Sequence, residues 1–152
     1  RLLTNLVKVN KLCDHLANIT QKHSNKGVTT VFQTDFSDDF EIKTNSDALE
    51  KLLTHLLDCS AQFARKGLIR LRCEEAGAFV RFSVSDTNQA FDGKSKNNFT
   101  SLFTENEDTT RYVSTNFNIC QSISRLLHGR IWRDELFTEG TRFYFEIPVD
   151  PE

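Results

Sequence analysis

Leucines that recur every three or four residues between positions 47 and 63 constrain the fold of this chain more than any other feature. This spacing predicts an amphipathic helix with one broad buried side. Thr44 and Asp47 precede the leucines with the spacing of a capping box, which predicts where the helix begins. Its apolar side consists of Leu49, Leu52, Leu53, Leu56, Leu57 and Phe63. Such a helix needs a large apolar surface to cover it.

Two alternating segments that follow this helix predict strands that supply the surface. Apolar side chains alternate with arginine at residues 69–73, and a similar alternation returns at residues 80–84. Gly77 lies between the two segments, at the position of a turn. The pair therefore predicts a hairpin with one apolar face and one solvent-exposed face.

Further helices are predicted on either side of this central part. The first spans residues 11–22 and has Asn10 as its N-cap. The last ends at Gly129, after a stretch without clear periodicity from Asp86 to about Ser114. Its inward side chains are Ile119, Cys120, Ile123, Leu126 and Leu127. Short strands are predicted near Leu6 and at residues 28–32, 41–43, 131–132 and 143–147.

The order of these elements predicts an α+β fold. We expect a two-layer sandwich with about three helices on one face of a mixed, mostly antiparallel sheet. A length of 152 residues is typical of one domain. We expect residues 1–9 to hold the tail of a preceding segment and the first short strand, and residues 10–152 to form a single domain. Because methionine is absent and the chain begins at Arg1, we expect it to be part of a longer polypeptide.

Charge and hydropathy argue against two classes of partner. The net charge is −2 and both signs are mixed along the chain, which disfavours a nucleic-acid-binding surface. No stretch approaches the ~20 consecutive apolar residues of a membrane span, and no signal peptide opens the chain. We therefore expect neither nucleic acid nor a membrane to be a partner of this piece.

The cysteines allow two interpretations. Cys13, Cys59, Cys73 and Cys120 are far apart in the sequence and form no CxxC pair. One interpretation is a disulfide or zinc framework. The other, which the wide spacing favours, is four ordinary buried thiols in a reducing compartment.

Four stretches of the chain carry a family resemblance. They are residues 44–63, residues 84–87, residues 102–104 and residues 118–143. In this order they resemble the N box, the first glycine box, the phenylalanine box of the mobile lid, and the closing helix and strands of a sensor histidine kinase. The matching part is its catalytic and ATP-binding domain, whose ATPase fold is shared with DNA gyrase B, Hsp90 and MutL. The resemblance implies the same α+β sandwich.

The resemblance also implies a reaction and its partners. Domains of this family bind Mg-ATP and pass the γ-phosphoryl group to a histidine of a dimerisation and phosphotransfer domain. That domain would lie upstream of Arg1, and a response-regulator receiver domain would be a further partner. The resemblance places the chain in the cytoplasm, in a two-component signalling protein. The lid of the family corresponds to residues 92–110.

The N box of this chain departs from the family at each position that contacts the nucleotide. His55 and Cys59 stand where the family has two asparagines, and Gln62 replaces a basic residue. A thiol is a poor ligand for Mg²⁺, which prefers oxygen. His55 and Cys59 have the spacing of a zinc-binding pair, but two ligands make a weak zinc signal, and a chance placement is the favoured interpretation.

The glycine boxes depart in the same way. Asn88 and Ala90 replace two glycines of the first box, and Asn116 lies in the stretch that replaces the second. Side chains at these positions occupy space that the phosphates of a nucleotide would use. Asp86 keeps the position of the residue that binds adenine, with a loop-capping role as the alternative.

Two hypotheses follow for the function. The first is a degenerate domain that binds Mg-ATP weakly or not at all and has a docking or regulatory role. The second is an active histidine kinase domain. The residues at the site favour the first hypothesis, because the positions that depart from the family contact metal and phosphate while the apolar positions remain.

Overall fold

The computed structural model of the chain describes residues 3–87 and 107–151. Within these ranges the chain forms three helices, which are α1 (Val9–His23), α2 (Ser46–Phe63) and α3 (Glu107–Leu126). The strands are β1 (Asn5–Lys8), β2 (Gly27–Thr34), β3 (Glu41–Thr44), β4 (Lys66–Ala76), β5 (Phe79–Asp86), β6 (Arg130–Arg133) and β7 (Thr141–Pro148). No helix in these ranges is long and apolar enough to cross a membrane.

The main sheet has the order β2-β4-β5-β7-β6. Strands β2 and β4 are parallel, and the other neighbours in this sheet are antiparallel. Strands β1 and β3 form a separate antiparallel pair. The predicted α+β sandwich with a mixed, mostly antiparallel sheet is confirmed.

The leucines of α2 form the centre of one apolar core. Leu49, Leu52 and Leu53 are fully buried and belong to the same cluster as apolar side chains of α1, α3 and the main sheet. Burying a leucine stabilises a fold by about 1.5–3 kcal/mol. The predicted alternation of the hairpin is confirmed, because Ile69, Leu71, Cys73, Val80, Phe82 and Val84 are all buried. The helices therefore cover one face of the sheet.

The other face of the sheet is less exposed than the alternation predicted. Ser83 and Ser85 of β5 lie on this face and are nevertheless buried. The register places Ser83 between Arg72 and Tyr144, whose side chains are much larger. A small side chain between large neighbours loses its contact with water even where no helix covers it.

The cysteines match the second interpretation of their spacing except at Cys59, which was predicted to be buried. All four are free, and Cys13, Cys73 and Cys120 are buried while Cys59 is half-buried. Cys13 Sγ and Cys73 Sγ lie 3.5 Å apart in the core. Within residues 3–87 and 107–151 no group of three or more histidine, cysteine or acidic side chains could hold a metal ion.

The predicted cap of the first helix is wrong. Helix α1 begins at Val9, its N-cap is Lys8, and Asn10 is a buried residue of its first turn. Asn10 Nδ2 donates to Phe36 O at 2.9 Å and to Asp38 Oδ1 at 3.0 Å. The side chain therefore holds the loop after β2 instead of capping its own helix.

The predicted cap of the leucine helix is displaced by one residue. Thr44 is the buried last residue of β3. Asn45 is the N-cap of α2, and its side-chain oxygen accepts a hydrogen bond from Ala48 N at 2.9 Å. Threonine and asparagine are both good caps, so the end of the strand decides which of them is used.

The last helix differs from the prediction at both ends. Residues 107–114 are helical, although no periodicity marks them. After the helix His128, and not Gly129, adopts a positive φ of 59°. Leu126 was predicted to point inward but is 57% exposed, because neighbouring helix positions are ~100° apart and Leu127 takes the buried position.

We predict that replacing His128 by glycine stabilises the protein. A side chain in the left-handed conformation costs about 1 kcal/mol, and glycine avoids that cost. The free energy of unfolding of His128→Gly, from urea denaturation followed by Trp132 fluorescence, should rise by about this amount. In the control Ser122→Gly, at an exposed position inside α3, the free energy of unfolding should fall by about 0.5–1 kcal/mol. Equal losses in both variants would contradict the prediction.

Candidate functional site

Asp86 lies at the end of β5 and is held by two other elements. Its carboxylate is buried and accepts hydrogen bonds from the hydroxyl and the backbone N–H of Thr141, the first residue of β7. The hydroxyl of Ser60, from α2, donates a further hydrogen bond. A Cβ added to Gly140 would lie 1.9 Å from Asp86 O, so only glycine fits beside it.

Burial dominates the electrostatics of this carboxyl group. Loss of water raises the pKa of Asp86 above its usual value, while the hydrogen bonds from Thr141 and Ser60 act in the opposite direction. The three donors occupy most of the positions at which a carboxylate accepts hydrogen bonds. Asp86 therefore has a structural role at the junction of α2, β5 and β7, in addition to any ligand that it binds.

Cys59 lies on α2, one turn after His55. Burial, together with the nearby carboxylates of Asp58 and Asp86, raises the pKa of its thiol to about 12. The thiol is therefore protonated at neutral pH. A protonated thiol is neither a charged group nor an oxygen ligand.

The donor set on α2 does not fit Mg²⁺. This ion requires oxygen ligands in near-octahedral geometry, and Cys59 offers sulfur at the position that the resemblance assigns to a magnesium-binding asparagine. Gln62 is exposed and carries no charge for a phosphate. Asp58 is exposed on α2, and adjacent helix positions point ~100° apart, so its carboxylate does not replace Cys59.

The side chains of His55 and Asn116 contact each other directly. His55 Nδ1 donates to Asn116 Oδ1 at 2.7 Å and so joins α2 to α3. Asn116 is buried, and its Nδ2 donates to Tyr112 O at 2.9 Å. Two residues that the resemblance assigns to separate nucleotide-binding boxes are therefore bonded to each other.

The backbone around Asn116 is also engaged. The stretch Ser114–Phe117, which the resemblance assigns to the second glycine box, lies inside α3, well after its first residue, Glu107. Only the first four N–H groups of a helix lack a partner within it. The N–H groups of this stretch therefore bond within α3 and are not available to cradle phosphate.

Several predicted site residues lie outside the described part of the chain. They are Asn88 and Ala90 of the first glycine box, Leu102 and Phe103 of the phenylalanine box, and residues 92–106 of the lid segment. The structure brings together His55, Asn116, Cys59 and Asp86 in the region where α2, α3 and the end of β5 meet. Gln62 is exposed.

Sequence reasoning missed Ser60 and Thr141. Both donate hydrogen bonds to Asp86, from positions 26 residues before and 55 residues after it. Thr141 follows Gly140 in a stretch that carries the family resemblance, which is a usable signal. Ser60 had none, because a serine next to Cys59 on a helix is also typical of a surface position.

Residues 44–151 match the family described as histidine kinase-, DNA gyrase B-, and HSP90-like ATPase. The peroxide stress-activated histidine kinase mak2 of Schizosaccharomyces pombe is 26% identical over 118 residues. The match covers 69% of this chain but only 5% of that protein. The chain is therefore similar to a small part of a much longer relative.

Solved structures of histidine kinases share the fold. The nucleotide-free catalytic domain of ThkA aligns with a TM-score of 0.72 and 22% identity, over 99% of this chain and 100% of that chain. Full-length ShkA in complex with AMPPNP aligns with a TM-score of 0.75 and 20% identity, over 97% and 31%. A histidine kinase from Burkholderia phymatum aligns with a TM-score of 0.75 and 14% identity, over 98% and 72%.

We predict that Cys59 reacts very slowly with iodoacetamide in the folded protein. Its pKa of about 12 makes the thiolate fraction at pH 8 about a thousandfold lower than that of an ordinary cysteine. The labelling rate, followed by peptide mass spectrometry between pH 7 and 10, should be correspondingly low. Asp58→Asn should increase it, because a charge that raises the pKa is removed. A labelling rate that levels off near pH 9 in the unmodified protein would contradict the prediction.

The raised pKa of Asp86 predicts how the stability of the protein depends on pH. Its pKa is raised in the folded state, so its contribution to stability is fully present below the unfolded pKa of about 4 and is lost as the pH rises through the folded pKa. The difference in free energy of unfolding between the unmodified protein and Asp86→Asn should therefore fall as the pH rises above about 4. Urea denaturation across a pH series measures this difference. A difference that grows with pH would show that the pKa is lowered instead.

Proposed function

Because the chain belongs to the histidine kinase-, DNA gyrase B- and HSP90-like ATPase family, we propose that it is the ATPase-type domain of a two-component sensor histidine kinase with a degenerate nucleotide site. In this proposal the domain binds Mg-ATP weakly or not at all. Its role in signal transduction is docking or regulation, carried out by a fold that keeps its core but not its metal and phosphate contacts.

The observation that carries the proposal is the protonated thiol of Cys59. Magnesium binding would require an oxygen ligand at this position, and the thiol offers sulfur with a pKa of about 12. The adjacent residues do not correct the loss. Asp58 is exposed, and the hydroxyl of Ser60 is bonded to Asp86.

The contact between α2 and α3 supports the same conclusion. The hydrogen bond between His55 and Asn116 links the two helices whose boxes hold the nucleotide in the family. A nucleotide between these boxes would have to replace that bond. The N–H groups of Ser114–Phe117 bond within the helix, so they would not be available as donors to the phosphates of the nucleotide.

One observation favours the alternative, an active kinase domain that transfers the γ-phosphoryl group of ATP to a histidine of an upstream domain. Asp86 stands at the end of β5, next to Gly140 and Thr141, and keeps the family's adenine anchor. Adenine binding at Asp86 would leave the loss of the magnesium ligand to be explained.

The proposal includes partners and a compartment. Full-length ShkA is about three times as long as the part that this chain covers, and mak2 is far longer. We infer that this chain belongs to a multidomain protein in the cytoplasm. An upstream dimerisation and phosphotransfer domain is the expected intramolecular partner, and a receiver domain is the expected partner beyond it.

We predict that the purified chain binds Mg-ATP very weakly and that Mg²⁺ does not strengthen the binding. The reason is the absence of an oxygen ligand at Cys59 and of a charge at Gln62. Isothermal titration calorimetry with ATP, in the presence of Mg²⁺ or of EDTA, should give the same weak signal in both conditions. Magnesium-dependent affinity in the low micromolar range would favour the active kinase.

Restoring the family's residues should restore Mg-dependent binding. The variant carries Cys59→Asn, Gln62→Lys, Ala90→Gly and Asn116→Gly, and we expect it to stay folded because none of these positions belongs to the leucine side of α2. Asn116→Gly also removes the bond to His55, at a cost of about 1 kcal/mol for a glycine inside a helix. The melting temperature of the fourfold variant should rise when Mg-ATP is added.

The matched control adds Asp86→Asn to the four substitutions. If the restored site uses the adenine anchor, this fifth change should abolish the rise in melting temperature. A fourfold variant that melts cooperatively but gains nothing from Mg-ATP would show that the loss extends beyond these positions. An equal rise with and without Asp86 would place the nucleotide elsewhere.

A further inference from the structure

One face of the main sheet carries none of the three helices. The register arranges its side chains in three rows that run across the strands. The first row is Val31, Arg70, Ser85 and Arg142, the second is Gln33, Arg72, Ser83, Tyr144 and Trp132, and the third is Glu74, Arg81, Glu146 and Arg130. We call this surface the open face.

Arginine dominates the open face, although the chain as a whole has a net charge of −2. The two glutamates of the face both lie in the third row, where they pair with its arginines. Arg81 contacts Glu146 at 2.6 Å and Glu74 at 3.4 Å, and Arg130 contacts Glu146 at 3.5 Å. The third row is therefore nearly neutral, and the first two rows hold three further arginines, of which Arg142 contacts Asp134 at 3.4 Å.

The first two rows hold an incompletely satisfied arginine. Arg70 Nε is buried and has no hydrogen-bond partner in the described part of the chain. A buried polar group without a partner costs about 1–3 kcal/mol, so an acceptor at this point would be favourable. The next arginine, Arg72, is half-exposed. Its Nη2 lies 3.3 Å from a carboxylate oxygen of Glu74 and 3.8 Å from one of Asp35.

A fixed aromatic surface adjoins these arginines. The rings of Trp132 and Tyr144 are 5.4 Å apart, centroid to centroid, in the second row. Arg130 lies over the Trp132 ring at 4.4 Å, and Arg81 lies over both rings at 5.9 Å and 5.7 Å. Ser83, a small side chain, lies between Arg72 and Tyr144 in the same row.

We propose that the open face is a docking surface for an acidic peptide segment of a partner protein. Carboxylates of the segment pair with Arg70 and Arg72, and one apolar side chain of the segment packs on Trp132 and Tyr144. This inference deepens the proposed docking role and rests on it.

The charge pattern favours a peptide over a nucleic acid. A nucleic acid presents a continuous row of phosphates, and the nearly neutral third row would leave part of that row without a cation. A peptide with separated carboxylates places its charges on the first two rows and leaves the third alone. The arginines also match a planar carboxylate through bidentate hydrogen bonds.

Trp132 makes the proposal directly measurable, because it is the only tryptophan in the chain. The probe is a short synthetic peptide of alternating glutamate and leucine, and its control has glutamine in place of glutamate. We expect a saturable change in Trp132 fluorescence with the acidic peptide, weakened by added salt, and no such change with the glutamine peptide. Arg70→Gln should weaken binding about tenfold, as expected for a lost charge-assisted hydrogen bond.

The matched control is Arg125→Gln, which removes the same charge from an exposed position on α3. This control should leave the affinity for the acidic peptide unchanged. If Arg125→Gln weakened binding as much as Arg70→Gln, the attraction would be unspecific and the proposal would be overturned. If Arg70→Gln does not fold, Arg72→Gln provides the same test. Saturation by an oligothymidylate with similar affinity, self-association detected by ultracentrifugation, or no response at millimolar peptide would also overturn it.

These outcomes are separate from those for the nucleotide site. Mg-ATP binding is tested by substitutions at Cys59 and Asn116 on the helical side, whereas the peptide is detected at Trp132. Peptide binding together with tight Mg-ATP binding would refute the degenerate site alone. Weak nucleotide binding without any peptide response would refute the docking surface alone.

Discussion

Burial of the leucine side of α2 against the sheet is the constraint on which the rest of the structure depends. Five leucines of one helix occupy the centre of the core and meet the apolar faces of β4, β5 and β7. Because a helix is rigid, this contact also sets the direction of its remaining side chains. His55 and Cys59 are thereby turned toward α3 and the end of β5, where Asp86 lies. The position of the candidate site is thus a consequence of how the core is packed.

The electrostatics of that site differ from what a metal–nucleotide complex needs. Asp86 and Cys59 share a region with little water, and in such a region the neutral form of each acid is favoured. The carboxylate is stabilised by Thr141 and Ser60, whereas the thiol stays protonated. A magnesium ion would require several oxygen ligands at the same place. The residues that replace them instead bond to one another, as His55 and Asn116 do.

The two faces of the sheet have separate physical roles. The covered face joins the three helices into one core, so substitutions there affect stability first. The open face contributes little to that core and carries the excess of arginine together with Trp132 and Tyr144. Under the proposed function, loss of the nucleotide site on the covered side leaves the open face available for binding without a change of fold.

The order of the elements was predictable because it depends on local periodicity. The leucine spacing of α2 and the alternation around Leu71 and Phe82 are properties of neighbouring residues, and each reports directly which side of an element is apolar. Where a pattern was absent, as at residues 107–114, the helix was missed. The cap of α2 was misplaced by one residue because Thr44 and Asn45 have nearly equal capping propensity, and only the pairing of β3 separates them.

The amino-acid sequence by itself determined the α+β fold and the apolar side of the main elements, and it placed cysteine, histidine and glutamine where the resemblance expects nucleotide ligands. Only the tertiary structure decided that Asn10 holds a loop, that Ser60 and Thr141 hold Asp86, and that His55 is bonded to Asn116, which is 61 residues away. A local pattern shows which side of an element avoids water. It cannot show which polar groups meet across that side, because this depends on how distant elements pack against each other.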